Sequence, residues 1–362
     1  MGFSCGIVGL PNSGKSTIFN AMTSLCVSAQ PYPFCTIEPN VGIVPVPDDR
    51  LEQLARLLNP EKLTPTSIEF IDIAGLIKDA HKGEGLGNRF LGHIRNVDAI
   101  AHIVRCFQAG SVPHVYSDID PARDIEIVET ELVISDLEIV EEQLKKIERV
   151  AKVSKEKHGE EQEVLLKIHS FLEKGEFVDS SEFSEEQKAF LRSFNLITTK
   201  PVFYVANVDE AGLNGPLDER LEALTIAKGR KAVAVCGKLE EELASLAEDE
   251  RASYMDLYEM NELGIEKVIR VGYDVLGLIT FYTIVGKEMR AWTIPAGTTA
   301  IEAAGKIHTD MQRGFIRAEA LSYDDFITCG SEHAAREKGL IHVEGKEYVV
   351  RDGDILHIRF NV

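Results

Sequence analysis

Nine residues near the start of the chain, Gly9-Leu10-Pro11-Asn12-Ser13-Gly14-Lys15-Ser16-Thr17, restrict the possible folds more than any other stretch. They follow the apolar run Cys5-Gly6-Ile7-Val8 and open into Ser16-Thr17-Ile18-Phe19-Asn20-Ala21-Met22, which patterns as a helix. The spacing G-x-x-x-x-G-K-[ST] between a strand and a helix is that of a phosphate-binding loop. Gly9 and Gly14 let the backbone wrap until several N–H groups face one anion. The first turn of the helix adds unpaired N–H groups and the positive end of its dipole. Lys15 would reach the terminal phosphates and the Ser16 hydroxyl would sit on Mg²⁺, with Asn12, Ser13, Gly14 and Thr17 completing the cradle.

Around this loop, strand and helix alternate up to about residue 106. Strands are expected at 3–8, 41–46, 66–73 and 98–106, and helices at 15–26, 49–58 and 87–95. Short, nearly continuous apolar strands between helices indicate a parallel sheet covered on both faces. From Ile125 the signature changes: Val133, Leu137, Val140, Leu144, Ile147 and Ala151 recur in alternating steps of three and four. That is an a/d seam, broken at Lys157-His158-Gly159 and resumed at Val164, Ile168 and Phe171. Residues 123–194 therefore read as a helical hairpin inserted in the α/β domain. Alternation resumes with strands at 201–206 and 232–236 and helices at 217–228, 239–247 and 264–277. Beyond Gly277 a β-rich module follows, with strands at 281–285, 289–294, 348–350 and 354–360 and a helix at 299–310. The expected domains are 1–122 with 195–278 (nucleotide-binding), 123–194 (helical hairpin) and 279–362.

Composition excludes several classes. No apolar run in the 362 residues approaches a membrane span, and the first strand begins almost at once, so neither a membrane anchor nor a targeting segment is expected. Cys5, Cys26, Cys35, Cys106, Cys236 and Cys329 are scattered without a C-x-x-C pair, as reduced thiols of a cytoplasmic protein would be. A net charge of −20 argues against general nucleic-acid affinity. Residues 279–362, with 10 Lys+Arg against 12 Asp+Glu, are nearly neutral and can still carry a local basic face.

Residues downstream of the phosphate loop narrow the nucleotide chemistry. Thr36, in Tyr32-Pro33-Phe34-Cys35-Thr36-Ile37-Glu38-Pro39, is placed to give a hydroxyl and an N–H to Mg²⁺ and the γ-phosphate. Asp72-Ile73-Ala74-Gly75 ends a strand as D-x-x-G, with Asp72 holding Mg²⁺ through water and the Gly75 N–H reading the γ-phosphate. Lys82-Gly83-Glu84-Gly85-Leu86-Gly87-Asn88 suits a loop that orders around a triphosphate. Asn207-Val208-Asp209-Glu210 stands where guanine-binding proteins carry N-K-x-D. Here Val208 replaces the lysine that covers the base, and Glu210 replaces the aspartate that accepts twice from guanine. Cys236-Gly237-Lys238 is a loose match to the last base loop, usually S-A-K.

These motifs, quoted over essentially the whole length, resemble the YchF/Obg-like ATPase family, a branch of the Obg-related translation-factor P-loop NTPases. The resemblance implies an α/β, G-domain-like, mostly parallel sheet with the inserted helical hairpin and a C-terminal TGS domain of the β-grasp, ubiquitin-like kind. It further implies ATP in preference to GTP, a Mg²⁺ requirement and association with the ribosome, with RNA contacted through the TGS-side cleft. In related proteins an asparagine at the position of Asn12 helps bind K⁺, which would serve as an activator.

Hydrolysis needs an oriented water and cancellation of charge on the γ-phosphate. Leu76 follows D-x-x-G where many GTPases place a water-aligning glutamine, and leucine neither donates nor accepts. Slow basal hydrolysis is the expectation, with His114 a second candidate, beside Asn12, for assisting water or phosphate. Three readings stay open: a regulatory ATPase, an Obg-type GTPase, and an RNA- or ribosome-binding module that holds nucleotide structurally.

Overall fold

A computed structural model describes residues 2–28, 37–38, 40–73, 86–108, 114–116, 118–151 and 159–361. The chain runs β1 (Phe3–Val8), α1 (Lys15–Ser28), β2 (Ile37–Glu38), β3 (Val41–Pro45), α2 (Asp49–Leu58), β4 (Lys62–Thr64), β5 (Ser67–Asp72), α3 (Leu86–Arg95) and β6 (Ala99–Arg105). Next come α4 (Pro121–Ala151), α5 (Gly159–Glu173), α6 (Glu185–Arg192), β7 (Val202–Asn207), α7 (Glu219–Ala227), β8 (Ala232–Val235), α8 (Gly237–Ala244), α9 (Glu248–Leu257) and α10 (Gly264–Val275). The last part holds β9 (Leu278–Val285), β10 (Glu288–Pro295), α11 (Ala300–Ile307), α12 (Thr309–Arg313), β11 (Phe315–Leu321), α13 (Tyr323–Cys329), α14 (Glu332–Glu337), β12 (His342–Glu344) and β13 (Ile355–Phe360).

Among the described residues the first sheet has the order β2-β3-β5-β1-β6-β7-β8. Strands β5, β1, β6, β7 and β8 are parallel, which brings Val8, Asp72 and Asn207 to one edge. Both faces are covered. Cys5, Ile7, Phe70 and Phe203 meet Ile18 and Met22 of α1 and Ile265 and Ile269 of α10. On the other face Val8, Ile100 and Tyr204 meet Phe90 and Leu91 of α3 and Ile125, Val128 and Leu132 of α4.

The sheet is mostly parallel, as expected, and its exception lies at one edge, where β3 pairs antiparallel with both β2 and β5. Pro45 pairs with Ser67, so the chain re-enters the sheet beside the point where it left, and a strand returning at the same end must run the opposite way. The excursion between them travels far. Helix α2, capped by the Asp48 carboxylate through the N–H groups of Arg50 and Leu51, buries Leu51 and Leu54 against Tyr282 and Met289 of the second sheet. Strand β4 joins that sheet as its edge, parallel to β10.

Helix α4 has 31 residues, about 46 Å at 1.5 Å per residue. Its first turns are rooted in the nucleotide-domain core, and the expected seam then packs Val133 and Val140 on Val164, Leu165, Ile168 and Leu172 of α5. The second sheet has the order β12-β11-β13-β9-β10-β4. A hairpin β9–β10, a helix α11 over one face and a last strand β13 beside β9 give the β-grasp arrangement. Strands β11 and β12 and helices α13 and α14 lie outside the expected elements, and two expected ones differ. The segment 348–350 makes only an isolated bridge, Thr299 with Val349, and the helix expected at 299–310 breaks at His308, whose backbone is extended.

Candidate nucleotide site

Local backbone geometry makes the cradle. Gly9 and Gly14 have φ of +153° and +94°, and Asn12 sits exposed in the left-handed region at +63°. A Cβ at Gly14 would lie 2.0 Å from Asn207 Nδ2, so the loop closes only with glycine there. Lys15 begins α1 and is 7% exposed. Its ammonium donates to the carbonyls of Gly9 at 3.1 Å and Leu10 at 2.9 Å, crowning the loop. Burial pushes its pKa down to about 8, against the opposing pull of Asp72.

The Ser16 hydroxyl donates to Asp72 Oδ2 at 3.1 Å, joining the start of α1 to the end of β5. Among the described residues, Asp72 Oδ1 and Ser13 Oγ are buried and find no hydrogen-bond partner. Such atoms are rare because each forfeits hydration, and they mark places where a ligand completes the bonding. P-loop NTPases in general use Mg²⁺. A hydroxyl and an aspartate with an orphaned oxygen, side by side, suit that hard, oxygen-seeking cation. Thr36, Gly75 and Leu76, and residues 82–85 of the glycine-rich stretch, lie outside the described residues.

On the base side, Asn207 is a clamp. Its Nδ2 donates to the Ser13 carbonyl at 2.9 Å and its Oδ1 accepts the Gly237 N–H at 3.0 Å, tying the phosphate loop to the start of α8. Cys236 is the residue that precedes α8. Val208 is half-buried and packs beside Cys236 and Leu213. Asp209 caps the short turn 210–212 by accepting the Gly212 N–H at 3.0 Å. Glu210 is exposed; its Oε2 accepts the Tyr258 hydroxyl at 3.3 Å and its Oε1 lies 3.7 Å from Lys238 Nζ. Tyr258, some fifty residues downstream and outside every motif, carried no signal in the sequence.

His114 is placed differently from the other candidates. Its ring is buried, Nδ1 accepts the Tyr116 N–H at 3.0 Å, and Nε2 meets Asp124 Oδ2 of α4 at 2.8 Å. This pattern fits the Nε2–H tautomer donating to the carboxylate, with both ring nitrogens engaged at the root of α4. The structure therefore unites Asn12 to Thr17, Asp72, Asn207 and Gly237, and ties His114 to α4.

A cradle crowned by a lysine, flanked by a serine–aspartate pair and clamped to a base loop across one sheet edge defines a P-loop NTPase with a GTPase-type domain. Residues 4–208 match the family described as "50S ribosome-binding GTPase". Residues 278–361 match YchF-GTPase_C, described as "Protein of unknown function (DUF933)". The "Ribosome-binding ATPase YchF" of Escherichia coli O157:H7 is 47% identical over 363 residues, covering 100% of both chains. That of Bacillus subtilis (strain 168) is 46% identical over 369 residues, again 100% of both. The solved "Structure of the Schizosaccharomyces pombe YchF GTPase" superposes with a TM-score of 0.88 at 35% identity, covering 99% of this chain and 97% of that one. The chain belongs to the YchF family.

Proposed function

We propose that this protein is a ribosome-associated, cytoplasmic regulatory ATPase that binds ATP with Mg²⁺, prefers it to GTP, and hydrolyses it slowly until a partner accelerates the reaction. The observation that carries the reading is the pair of buried, unpartnered oxygens, Ser13 Oγ and Asp72 Oδ1, at a loop crowned by a buried ammonium. A polyphosphate tail and its cation would complete both. The names of the relatives supply the ribosome and the nucleotide.

Each residue then has a part. Lys15 would exchange the Gly9 and Leu10 carbonyls for phosphate oxygens. Ser16 and Asp72, with Thr36, would hold Mg²⁺, which supplies charge neutralisation on the phosphates when bound. The Gly75 N–H would read the γ-phosphate. Leu76 cannot orient water, and a role for His114 requires its ring to leave Asp124. Asn12 remains the residue assigned to K⁺.

Preference for ATP is supported by Val208 in place of lysine and by a Gly237 N–H already bonded to Asn207 rather than offered to guanine O6. The cleft of about 550 Å³ between α2 and α10, beside the β-grasp domain, is rimmed by Asp48, Asp49, Glu52, Glu262 and Glu266 against Arg251 and Arg270. That balance repels phosphates, so direct RNA contact is assigned away from this cleft.

Competition of ATP and GTP for one site, followed by single-turnover hydrolysis with and without ribosomes in K⁺ and in Na⁺, tests the proposal. Tighter ATP binding and ribosome-stimulated turnover are expected. Tighter GTP binding, or turnover indifferent to ribosomes, would remove it.

A further inference from the structure

Guanine is selected in this class of protein by a carboxylate that accepts from N1–H and N2–H₂ together and by a backbone N–H that donates to O6. The second group is engaged by Asn207, as above. The first is engaged as well, by a residue from outside the base loops. Tyr258 lies at the end of α9, and its placement is fixed from several sides. Asn214 Nδ2 donates to its carbonyl at 3.1 Å, Glu259 turns the chain with φ +55°, and the Met260 N–H returns to the Met255 carbonyl at 2.9 Å. The ring packs with Met255 and Leu213 against the cluster of Cys236, Leu239, Leu243 and Leu263, which also holds Val208. From this seat its hydroxyl donates to Glu210 Oε2.

We propose that Tyr258 is a specificity-determining positioning residue for the base: by holding Glu210, it withholds from guanine the paired acceptor that a free carboxylate would offer. Adenine presents one donor group, N6–H₂, on that edge and loses less. Lys238, 3.7 Å from the other oxygen and largely exposed, adds little, because solvent screens such a pair. The inference rests on the reading of Glu210 as a base-loop residue and gives that residue its orientation.

The test uses the full chain with fluorescent ATP and GTP analogues and Mg²⁺, in wild type, Tyr258→Phe, Glu210→Gln and the double variant. Phenylalanine keeps the ring and its packing, and an unchanged Tm verifies the fold. Tyr258→Phe should shift the ATP-to-GTP affinity ratio toward GTP by about three- to tenfold, the worth of one hydrogen bond, with ATP affinity itself moving less than about twofold. In the Glu210→Gln background the same substitution should leave the ratio unmoved, since the residue acts through that carboxylate. An unmoved ratio in Tyr258→Phe alone, or an equal shift in both backgrounds, overturns the proposal. Wild type that binds neither nucleotide would instead bring down the nucleotide reading itself.

Discussion

Arg95, the last residue of α3, donates through Nη1 to Asp136 Oδ1 of α4 at 2.7 Å, and Asp136 is completely buried. The same carboxylate accepts the Thr198 N–H and hydroxyl, each at 2.8 Å, while Arg95 Nη2 reaches Ser135 Oγ at 2.7 Å. Helix α3 begins directly after residues 74–85, which carry the glycine of D-x-x-G. The pair thus joins the helix following that segment to the long arm.

Removing Asp136 strips the buried Thr198 N–H and hydroxyl of their acceptor and leaves the partly buried Arg95 guanidinium uncompensated. Asp136→Ala should therefore destabilise the protein by about 3–5 kcal/mol, read from urea denaturation. A loss below about 1 kcal/mol would show that water replaces the carboxylate and that the join is not structural.

Lys15 predicts a proton linkage. Its pKa in the nucleotide-free fold is about 8, against an ordinary value of 10.5. Between those values the unfolded chain holds more protons, so this group's contribution makes stability rise with pH across that window. A bound polyphosphate would favour the charged amine, so binding at pH 9 should take up a proton. Affinity should then weaken above pH 8 by up to about tenfold per unit. Calorimetry in buffers of different ionisation heat measures the uptake; zero uptake at pH 9 would contradict a buried Lys15 that is mostly neutral at that pH.

Glu240, on α8 just behind Gly237, is 1% exposed and accepts from the N–H groups of Gly264 at 2.7 Å and Ile265 at 3.3 Å, at the start of α10. Burial raises its pKa to about 7 from 4.5, outweighing the two hydrogen bonds. The folded state holds the extra proton, so this contribution is fully present below pH 4.5 and lost as pH climbs through 7. Relative to wild type, Glu240→Gln should gain roughly 2–3 kcal/mol between pH 4.5 and 7.5. Equal differences at both pH values, by guanidinium denaturation, would place the titration elsewhere.

What could be read in advance follows the distance over which each interaction acts. The phosphate loop was legible because its glycines, lysine and serine act on one another within eight residues. The α4–α5 seam was legible for the same reason, since heptad spacing is a local record of a long contact. The partner of an amphipathic face is not recorded locally: α2 shows that Leu51 and Leu54 are buried, not which sheet buries them. Strand β11 was missed because Glu319 interrupts its apolar pattern. That carboxylate is buried with its charge met: Arg359, in the neighbouring strand, grips both its oxygens, and Arg336 of α14 donates to one of them at 3.4 Å. At the site, Asp72 and Asn207 were found by motif. The bonds of Tyr258 to Glu210 and of Asp124 to His114 were not, since nothing in their spacing marks them.

Asn207 should matter to both loops it joins. Asn207→Ala frees the Ser13 carbonyl and the Gly237 N–H, both buried, at a cost of about 1–3 kcal/mol each unless water enters. Expected outcomes are a lower Tm and ATP affinity weakened at least tenfold, with GTP weakened less because the freed Gly237 N–H can reach guanine O6. An unchanged Tm with ATP affinity intact would show that Asn207 braces neither loop.

The destination of α2 predicts how the chain tolerates truncation. Leu51 is 3% and Leu54 0% exposed, both against the second sheet. Asp48 accepts the Tyr282 hydroxyl at 2.8 Å, and Arg50 forks onto Asp352 at 2.8 and 3.1 Å. A fragment ending at residue 277 keeps α2 and β4 but loses the sheet that buries Leu51 and Leu54 and pairs β4, leaving an apolar helix face and an unpaired strand edge in water. It should self-associate on size-exclusion chromatography, and Leu51→Gln with Leu54→Gln should restore a monomer. In the full chain the same pair of substitutions should lower stability by about 4 kcal/mol or more, since each removes a filled core position. A monomeric fragment with both leucines intact would mean that α2 finds a second seat on the nucleotide domain, and that residues 47–66 are less firmly part of the C-terminal packing than their contacts indicate.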